Sequence, residues 1–141
     1  MSGEPSPIFI GGSPRSGTTL LRVMLDSHPA IACGPELRVI PGLARLYRDS
    51  VAASGDLLAQ QYELSRAALA HGFAEAILAL LTPTWRASGK AMVAEKTPAN
   101  GLYFAELGEL FPHSKFVHVL RDGRDVVSSL LEIDWTDERT G

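Results

Sequence analysis

Residues 8–19 of the chain have the sequence IFIGGSPRSGTT. A short apolar run comes first, a glycine-rich segment follows, and an amphipathic stretch continues from there. This is the order of a buried strand, a loop and a helix. We predict a strand over residues 7–12 and a helix over residues 17–27. A loop in this position can hold a phosphate or a sulfate, because successive backbone N–H groups and the helix dipole point into it.

The segment matches the P-loop pattern G-x-x-x-x-G-K-[ST] except at one position. Gly12 and Gly17 fit the frame, whereas Thr18 stands where the pattern has lysine. In nucleoside triphosphatases that lysine contacts the β- and γ-phosphates, and a hydroxyl holds Mg²⁺. A sulfuryl group carries less negative charge than a terminal phosphoryl group and needs less of this apparatus. A P-loop kinase for a nucleotide or a small molecule stays an alternative, although the missing lysine argues against it.

Further strand–loop–helix units follow the first one. We predict strands over residues 30–33, 91–95 and 115–121, and helices over residues 39–47, 57–81, 102–111 and 124–131, with Pro83 closing the long helix. Strands that alternate with helices predict an α/β fold, here a P-loop-like, Rossmann-type parallel sheet flanked by helices. We expect a single domain over residues 1–141 with a flexible tail at residues 1–6. Because so few strands can be counted, we also expect the domain to be incomplete at its C-terminal end.

The composition excludes several classes of protein. The 141 residues carry a net charge of -3, which does not favour nucleic acid or an anionic membrane as a partner. The single cysteine, Cys33, allows no internal disulfide and favours a reducing compartment. We find neither a signal peptide nor an apolar stretch of the ~20 residues that a membrane helix needs. From the sequence we therefore expect a cytoplasmic location and no membrane partner.

Two segments resemble the sulfotransferases that use 3′-phosphoadenosine 5′-phosphosulfate (PAPS). PRSGTTLLRVMLDSHP at residues 14–29 resembles their 5′-phosphosulfate loop, and KFVHVLRDGRDVVSSL at residues 115–130 resembles their 3′-phosphate segment. Residues 14–41 are most similar to the tyrosylprotein sulfotransferases. The resemblance implies that the 5′-phosphosulfate is held by Arg15, Ser16, Gly17, Thr18 and Thr19. It implies that Arg121 and Ser129 hold the 3′-phosphate, and the alternative is that Arg121 pairs with Asp122 or Asp125.

The resemblance also implies a set of catalytic residues. Glu36 would be the general base that takes the proton from an acceptor hydroxyl, and Arg38 would orient the acceptor or Glu36. Lys96 would stabilise the bridging oxygen as it leaves, and Arg15 would stabilise charge on the transferred group. In the alternative interpretation Glu36 only pairs with Arg38, and Lys96 is a solvated loop lysine. We expect no histidine to replace Glu36 as the base and no metal site.

The partners follow from the same resemblance. We expect PAPS as the co-substrate and a hydroxyl-bearing acceptor, which can be a peptide tyrosine, a carbohydrate or a small molecule. A homodimer is left open. The eukaryotic relatives are membrane-anchored in the Golgi, but this chain shows no anchor, which is why we expect a cytoplasmic location. A further alternative is a truncated, inactive chain that still binds PAPS or its product 3′,5′-ADP (PAP).

Overall fold

The computed structural model describes residues 6–132. Residues 1–5, which make up most of the tail predicted over residues 1–6, and the last nine residues lie outside that range. The strands are β1 (Ile8–Gly12), β2 (Ile31–Cys33), β3 (Met92–Lys96) and β4 (Lys115–Val119). The helices are α1 (Thr18–Asp26), α2 (Val39–Gln61), α3 (Arg66–Ser88), α4 (Phe104–Leu110) and α5 (Gly123–Leu131), and a 3₁₀ helix spans Pro98–Tyr103.

The four strands form one parallel sheet in the order β2-β3-β1-β4. This confirms the predicted α/β fold with a parallel sheet flanked by helices. All carboxyl ends lie at one edge of such a sheet, so the loops that follow the strands meet there. The two central strands, β1 and β3, bring the glycine-rich loop and Lys96 to that edge.

Apolar side chains cover both faces of the sheet. On one face Phe9 and Val93 join a core with residues of α2, α3 and α4. On the other face Ile10 and Ala94 pack with partly buried residues of α1. Burying one such large side chain contributes ~1.5–3 kcal/mol, so both layers help to fix the sheet. Cys33 belongs to the second layer, and burial raises the pKa of its thiol to about 11.

The long helix predicted over residues 57–81 is wrong, because two helices share this part of the chain. α2 runs on to Gln61, and the chain turns before α3 begins at Arg66. Glu63 has a φ of 53°, in the left-handed region that interrupts a helix. The Ser65 hydroxyl then accepts a hydrogen bond from the Ala68 N–H at 3.1 Å and caps the new helix.

Pro83 does not close the second helix as we expected. It lies inside α3, which continues to Ser88 and ends at Gly89 in the left-handed conformation, with a φ of 65°. The resulting 23-residue helix has a mean hydropathy of 1.3 over its most apolar window, and 28% of that window is buried. By length and composition it could cross a membrane, contrary to our expectation. Core helices of soluble proteins meet the same criterion, so this is weak evidence.

The remaining boundaries differ by a few residues. The strand predicted over residues 115–121 ends at Val119, and Lys96 is the last residue of β3 rather than part of a loop. The helix predicted over residues 102–111 begins as the 3₁₀ helix, in which Pro98 occupies the first position. Proline has no N–H to donate there, which suits the first turn of a helix.

Candidate active site

An open pocket of about 580 Å³ lies at the carboxyl edge of the sheet. It is bounded by the loop after β1, the loop before α2, the turn after β3 and the start of the β4–α5 segment. The residues that line it are Pro14, Arg15, Gly17, Thr18, Thr19, Glu36, Arg38, Pro98, Arg121 and Ser129. The fold thus collects at one place most of the site residues that the sequence predicted.

The start of α1 borders the pocket and has the features of an anion site. Gly17 precedes the helix with a φ of 96°, a conformation that glycine adopts at little cost. No side chain caps this end, and the first turn contains no acidic residue. The N–H groups of the first turn are therefore free for an anion, and the hydroxyls of Thr18 and Thr19 lie beside them.

Ser16 differs from the other residues of the loop. Its side chain is buried and donates to the Ser13 carbonyl, and its backbone N–H donates to the same carbonyl at 3.2 Å. The Ser16 side chain does not line the pocket. In the structure, Ser16 holds the turn of the loop through these two hydrogen bonds to Ser13.

Arg15 connects the glycine-rich loop to α5. Its φ of 68° is unusual for a residue with a side chain, and such a conformation costs on the order of 1–3 kcal/mol. The Arg15 Nε donates to the Ser129 hydroxyl at 2.9 Å, and an Arg121 N–H donates to the Arg15 carbonyl at 3.0 Å. The two segments predicted to hold the two ends of one nucleotide are in direct contact.

Arg121 has one of its two alternative partners, Asp125, within ion-pair distance. Its Nε lies 3.8 Å from the Asp125 carboxylate, a long ion pair at an exposed position. Asp122 instead pairs with Arg124 at 2.7 Å, and this hydrogen-bonded guanidinium lowers the pKa of Asp122. Arg121 therefore faces the pocket, whereas Arg124 does not line it.

Glu36 lines the pocket and forms an ion pair with Lys96, which is buried beside it and does not line the pocket itself. Lys96 is only 1% exposed, and its ammonium group donates to the Glu36 carboxylate and lies 3.5 Å from the Thr19 hydroxyl. A buried lysine needs such a partner, because an unpaired charge away from water is costly. Lys96 is thus not a solvated loop residue.

Arg38 also pairs with Glu36, but at the rim. Its Nε lies 3.6 Å from the second Glu36 oxygen, and its side chain is 80% exposed. The Glu36–Arg38 pair of our alternative interpretation therefore exists, next to the pair with Lys96. None of the four histidines lines the pocket.

Sequence reasoning missed a buried polar cluster directly behind these residues. Glu95 accepts hydrogen bonds from the Leu37 N–H at 3.0 Å, from the Thr97 hydroxyl at 2.7 Å and from the Asn100 amide. Burial raises the pKa of Glu95. The available signal was a charged residue inside an otherwise apolar central strand, where charges are rare.

A close contact between two backbone segments supports the same region. A β-carbon built on Gly11 would lie 2.2 Å from the Gly101 nitrogen, so β1 and the 3₁₀ helix approach too closely for any side chain at Gly11. This contact fixes the turn that follows Lys96 against the strand that precedes the glycine-rich loop. Among residues 6–132 no group of three or more His, Cys, Asp or Glu side chains is arranged to hold a metal ion.

Comparison with known proteins agrees with the motifs. Residues 7–140 match the sulfotransferase family. The chain belongs to that family. It is 40% identical over 129 residues to a protein-tyrosine sulfotransferase of Drosophila melanogaster, covering 88% of this chain and 25% of that protein. It is 37% identical over 133 residues to protein-tyrosine sulfotransferase 2 of Gallus gallus, covering 92% of this chain and 35% of that protein.

The human relative gives a similar result. Protein-tyrosine sulfotransferase 1 of Homo sapiens is 38% identical over 127 residues, which are 88% of this chain and 33% of the human protein. The chain therefore spans a quarter to about a third of the length of these three sulfotransferases. Membership of the family supports an enzyme that transfers a sulfuryl group.

The prediction of a cytoplasmic location is wrong. The matching relatives are protein-tyrosine sulfotransferases, the group for which the resemblance already implied a Golgi membrane location. We had set that location aside because these 141 residues show no anchor. A chain that covers 25–35% of two of its relatives cannot support an argument of that kind.

Proposed function

We propose that the chain transfers the sulfuryl group of PAPS to a hydroxyl acceptor. The observation that carries the proposal is the contact between two anion-binding segments around one pocket. The uncapped start of α1 suits the 5′-phosphosulfate, and Arg121 with Ser129 suits the 3′-phosphate. A nucleotide with phosphate groups at both ends of its ribose fits this arrangement, because the Arg15–Ser129 hydrogen bond joins the two segments at 2.9 Å.

Glu36 and Lys96 fit the chemistry of the transfer. A bond forms between the acceptor oxygen and sulfur, the bond from sulfur to the bridging oxygen breaks, and PAP leaves. Glu36 takes the acceptor proton, and Lys96 supplies positive charge to the departing oxygen. In the structure these two groups form an ion pair. Binding of the donor would draw Lys96 towards the bridging oxygen and leave Glu36 available as a base.

A protein tyrosine is the acceptor that we favour, because the relatives are named for it. A phenol has a pKa of about 10, so a carboxylate base can accept its proton only as the transfer proceeds. Arg38 at the rim is placed to orient an acceptor or Glu36. A carbohydrate or a small-molecule hydroxyl would meet the same residues.

Nucleotide binding tests the proposal directly. We expect PAP and PAPS to raise the melting temperature of the chain, because a ligand that binds only the folded state stabilises it by mass action. ATP with Mg²⁺ should give a smaller shift, because Thr18 replaces the P-loop lysine. A larger shift with ATP would instead support the kinase alternative and would sink the proposal.

A transfer assay separates an active enzyme from a chain that only binds nucleotide. The 141-residue chain is incubated with PAPS labelled in the sulfuryl group and with a tyrosine-containing peptide, and labelled peptide is counted. A fall in turnover of ~10²-fold or more on replacing Glu36 by Gln, with residual labelled peptide still counted, supports the assigned base. Binding of PAP without turnover would support the alternative of a nucleotide-binding chain that is inactive by itself.

A further inference from the structure

Glu95 is a carboxylate buried behind the loop that carries Glu36. It precedes Lys96 in β3 and is 2% exposed. Successive side chains of a strand point to opposite faces, so Glu95 lies on the face of Val93 and Lys96 on the face of Ala94. Glu95 and Lys96 therefore contact different parts of the protein. Lys96 contacts the pocket residues, whereas Glu95 lies beneath the start of α2.

Three segments of the site converge on the Glu95 carboxylate. One oxygen accepts from the Leu37 N–H at 3.0 Å and from the Thr97 hydroxyl at 2.7 Å, and the other accepts from the Asn100 amide. The same Asn100 nitrogen donates to the Ile10 carbonyl at 3.3 Å. One carboxylate thus joins the loop before α2 to the turn after β3 and, through Asn100, to the middle of β1.

The burial of the Glu95 carboxylate lowers the free energy of unfolding unless hydrogen bonds compensate for it. Burial of a carboxylate costs several kcal/mol unless it is well paired. Within residues 6–132 no lysine, arginine or histidine forms an ion pair with Glu95, so hydrogen bonds alone offset the cost. Burial raises the pKa of Glu95, and the bonds from Thr97, Asn100 and Leu37 act in the opposite direction. An apolar residue would serve packing better, so the carboxylate is best explained by what it holds.

We infer that Glu95 is a positioning residue, which holds the peptide between Glu36 and Leu37 so that Glu36 stays beside Lys96 and the pocket. This inference rests on the proposed function, in which Glu36 is the base. The Leu37 N–H and the Glu36 carbonyl belong to one planar peptide unit. A hydrogen bond that fixes the N–H therefore also fixes the backbone of Glu36. Because Lys96 follows Glu95 directly, the same strand end sets both members of the Glu36–Lys96 pair.

Three replacements at Glu95 separate the hydrogen bonds from the shape of the side chain. Glu95→Met keeps the length but removes both acceptors. Glu95→Gln keeps one acceptor for Leu37 and Thr97, and its amide can donate to the Asn100 Oδ1, which has no partner within the described residues, once that amide rotates. Glu95→Asp keeps the charge but cannot reach all three donors. Glu95→Gln and Glu95→Asp keep the test decisive if the Met variant does not fold.

Glu109→Gln is the matched control. Glu109 also is a hydrogen-bonded carboxylate, but it links Tyr47 to Arg66, which donates to it at 2.6 and 2.7 Å. It lies on α4 and lines a different pocket. Its replacement should lower stability without any effect on the loop before α2.

The first measurement is hydrogen exchange of the Leu37 amide, followed by NMR. We expect it to accelerate ~tenfold or more in Glu95→Met, to rise less in Glu95→Asp, and to stay within ~threefold of wild type in Glu95→Gln. Glu109→Gln should leave it unchanged. If the Leu37 amide exchanged at the wild-type rate in Glu95→Met and in Glu95→Asp, the inference would be wrong, whatever the chain catalyses.

The second measurement distinguishes positioning from a general structural role. Glu95→Met should lower kcat ~tenfold or more while the affinity for PAP stays within ~twofold, because the donor contacts lie elsewhere. In a Glu36→Gln background the same replacement should cause no further loss, since Glu95 acts through Glu36. An equal loss in both backgrounds would refute the positioning role.

The two proposals fail in different ways. If PAP does not bind the wild-type chain, the proposed function fails, whereas a change in Leu37 exchange would still show that Glu95 holds the loop. If PAP binds but the exchange rate of the Leu37 amide does not change in the Glu95 variants, only the inference fails. If turnover is absent from the wild type, the exchange experiment alone decides whether Glu95 holds the loop.

Discussion

Gly11 lies so close to Gly101 that the space between the two backbones holds no further atom. A β-carbon at Gly11 would lie 2.2 Å from the nitrogen and 2.7 Å from the Cα of Gly101. Backbone atoms cannot move aside as a flexible side chain can. We expect Gly11→Ala to lower the free energy of unfolding by ~2 kcal/mol or more, measured by chemical denaturation.

Gly72→Ala provides the control for this prediction. Gly72 lies inside α3, and a β-carbon there would meet nothing within 4 Å. Alanine in a helix interior is favoured over glycine by ~0.5–1 kcal/mol, so this variant should be slightly more stable than wild type. If Gly11→Ala were as stable as Gly72→Ala, the close backbone contact would not exist in solution.

At the scale of single residues, the sequence predicted the residues that line the pocket better than the buried residues behind them. Arg15 and Arg121 could be placed because each follows a strand, and strand ends meet at one edge of a parallel sheet. Glu95 was predicted as the last residue of a strand, but its burial and its hydrogen bonds were not predicted. Burial depends on which segments pack above a residue. Leu37 is 58 residues away from Glu95 in the sequence, and Asn100 is five residues away, but neither position indicates a contact with Glu95.

The end of α1 is tied to its neighbours by one charged pair. The Asp26 carboxylate accepts from the Cys33 N–H at 2.9 Å, and the Lys90 ammonium lies 3.5 Å from it and donates to the Ile31 carbonyl at 3.0 Å. This group of contacts joins the end of α1, the strand β2 and the segment after α3. A cation near the C-terminal end of α1 is also favoured by the helix dipole.

Asp26 makes the stability of the chain depend on pH. The hydrogen bond from the Cys33 N–H is the main cause that lowers the pKa of Asp26 below its ordinary value of 3.8, and Lys90 adds to it. A carboxyl whose pKa is lower in the folded state stabilises the fold above the unfolded pKa, and this contribution is lost as pH falls through the folded pKa. Asp26→Asn should therefore be less stable than wild type above about pH 5, and the difference should shrink below pH 3.8.

Thermal unfolding from about pH 7 to about pH 2 measures this difference. Asp49→Asn is the control, because Asp49 loses the same charge at an exposed position where it pairs only with its neighbour Arg48. A constant gap between Asp26→Asn and wild type over the whole range would contradict the assigned role of the charge.

The helices show where a periodic pattern stops being informative. Apolar residues at helical spacing predicted one helix over residues 57–81, and they do occur on both sides of the break. The break itself depends on local geometry, the left-handed Glu63 and the Ser65 cap, which periodicity does not detect. At Pro83 the sequence predicts a helix end, although a helix packed against a core can tolerate an internal proline when tertiary contacts outweigh its cost.

At the scale of the whole molecule, apolar helix faces do not all point into a core. Leu20 on α1 and Leu131 on α5 are 66% and 82% exposed, although both belong to apolar stripes. A stripe indicates that a helix has an apolar face but not which element packs on it. Within residues 6–132 no further element covers these side chains, so the parallel sheet was predictable while the packing on this side was not.

The two segments that we propose to bind the nucleotide lie on separate strand–helix units, and their contact is a property of the whole fold. If Arg121 binds the 3′-phosphate, it distinguishes PAP from 5′-AMP, which shares the 5′-phosphate but lacks the 3′-phosphate. A charge-assisted hydrogen bond contributes ~1.5–3 kcal/mol, so Arg121→Ala should weaken PAP binding ~tenfold or more and AMP binding much less. Isothermal titration calorimetry at one fixed ionic strength measures both affinities.

Arg124→Ala removes the same charge from the same segment, but Arg124 pairs with Asp122 and does not line the pocket. It should change PAP binding little, since exposed charges act weakly through screened solvent. Equal losses in the two variants would mean that only net charge matters. An equal loss of PAP and AMP affinity in Arg121→Ala would mean that Arg121 acts through its hydrogen bond to the Arg15 carbonyl, and the 3′-phosphate would then need another partner.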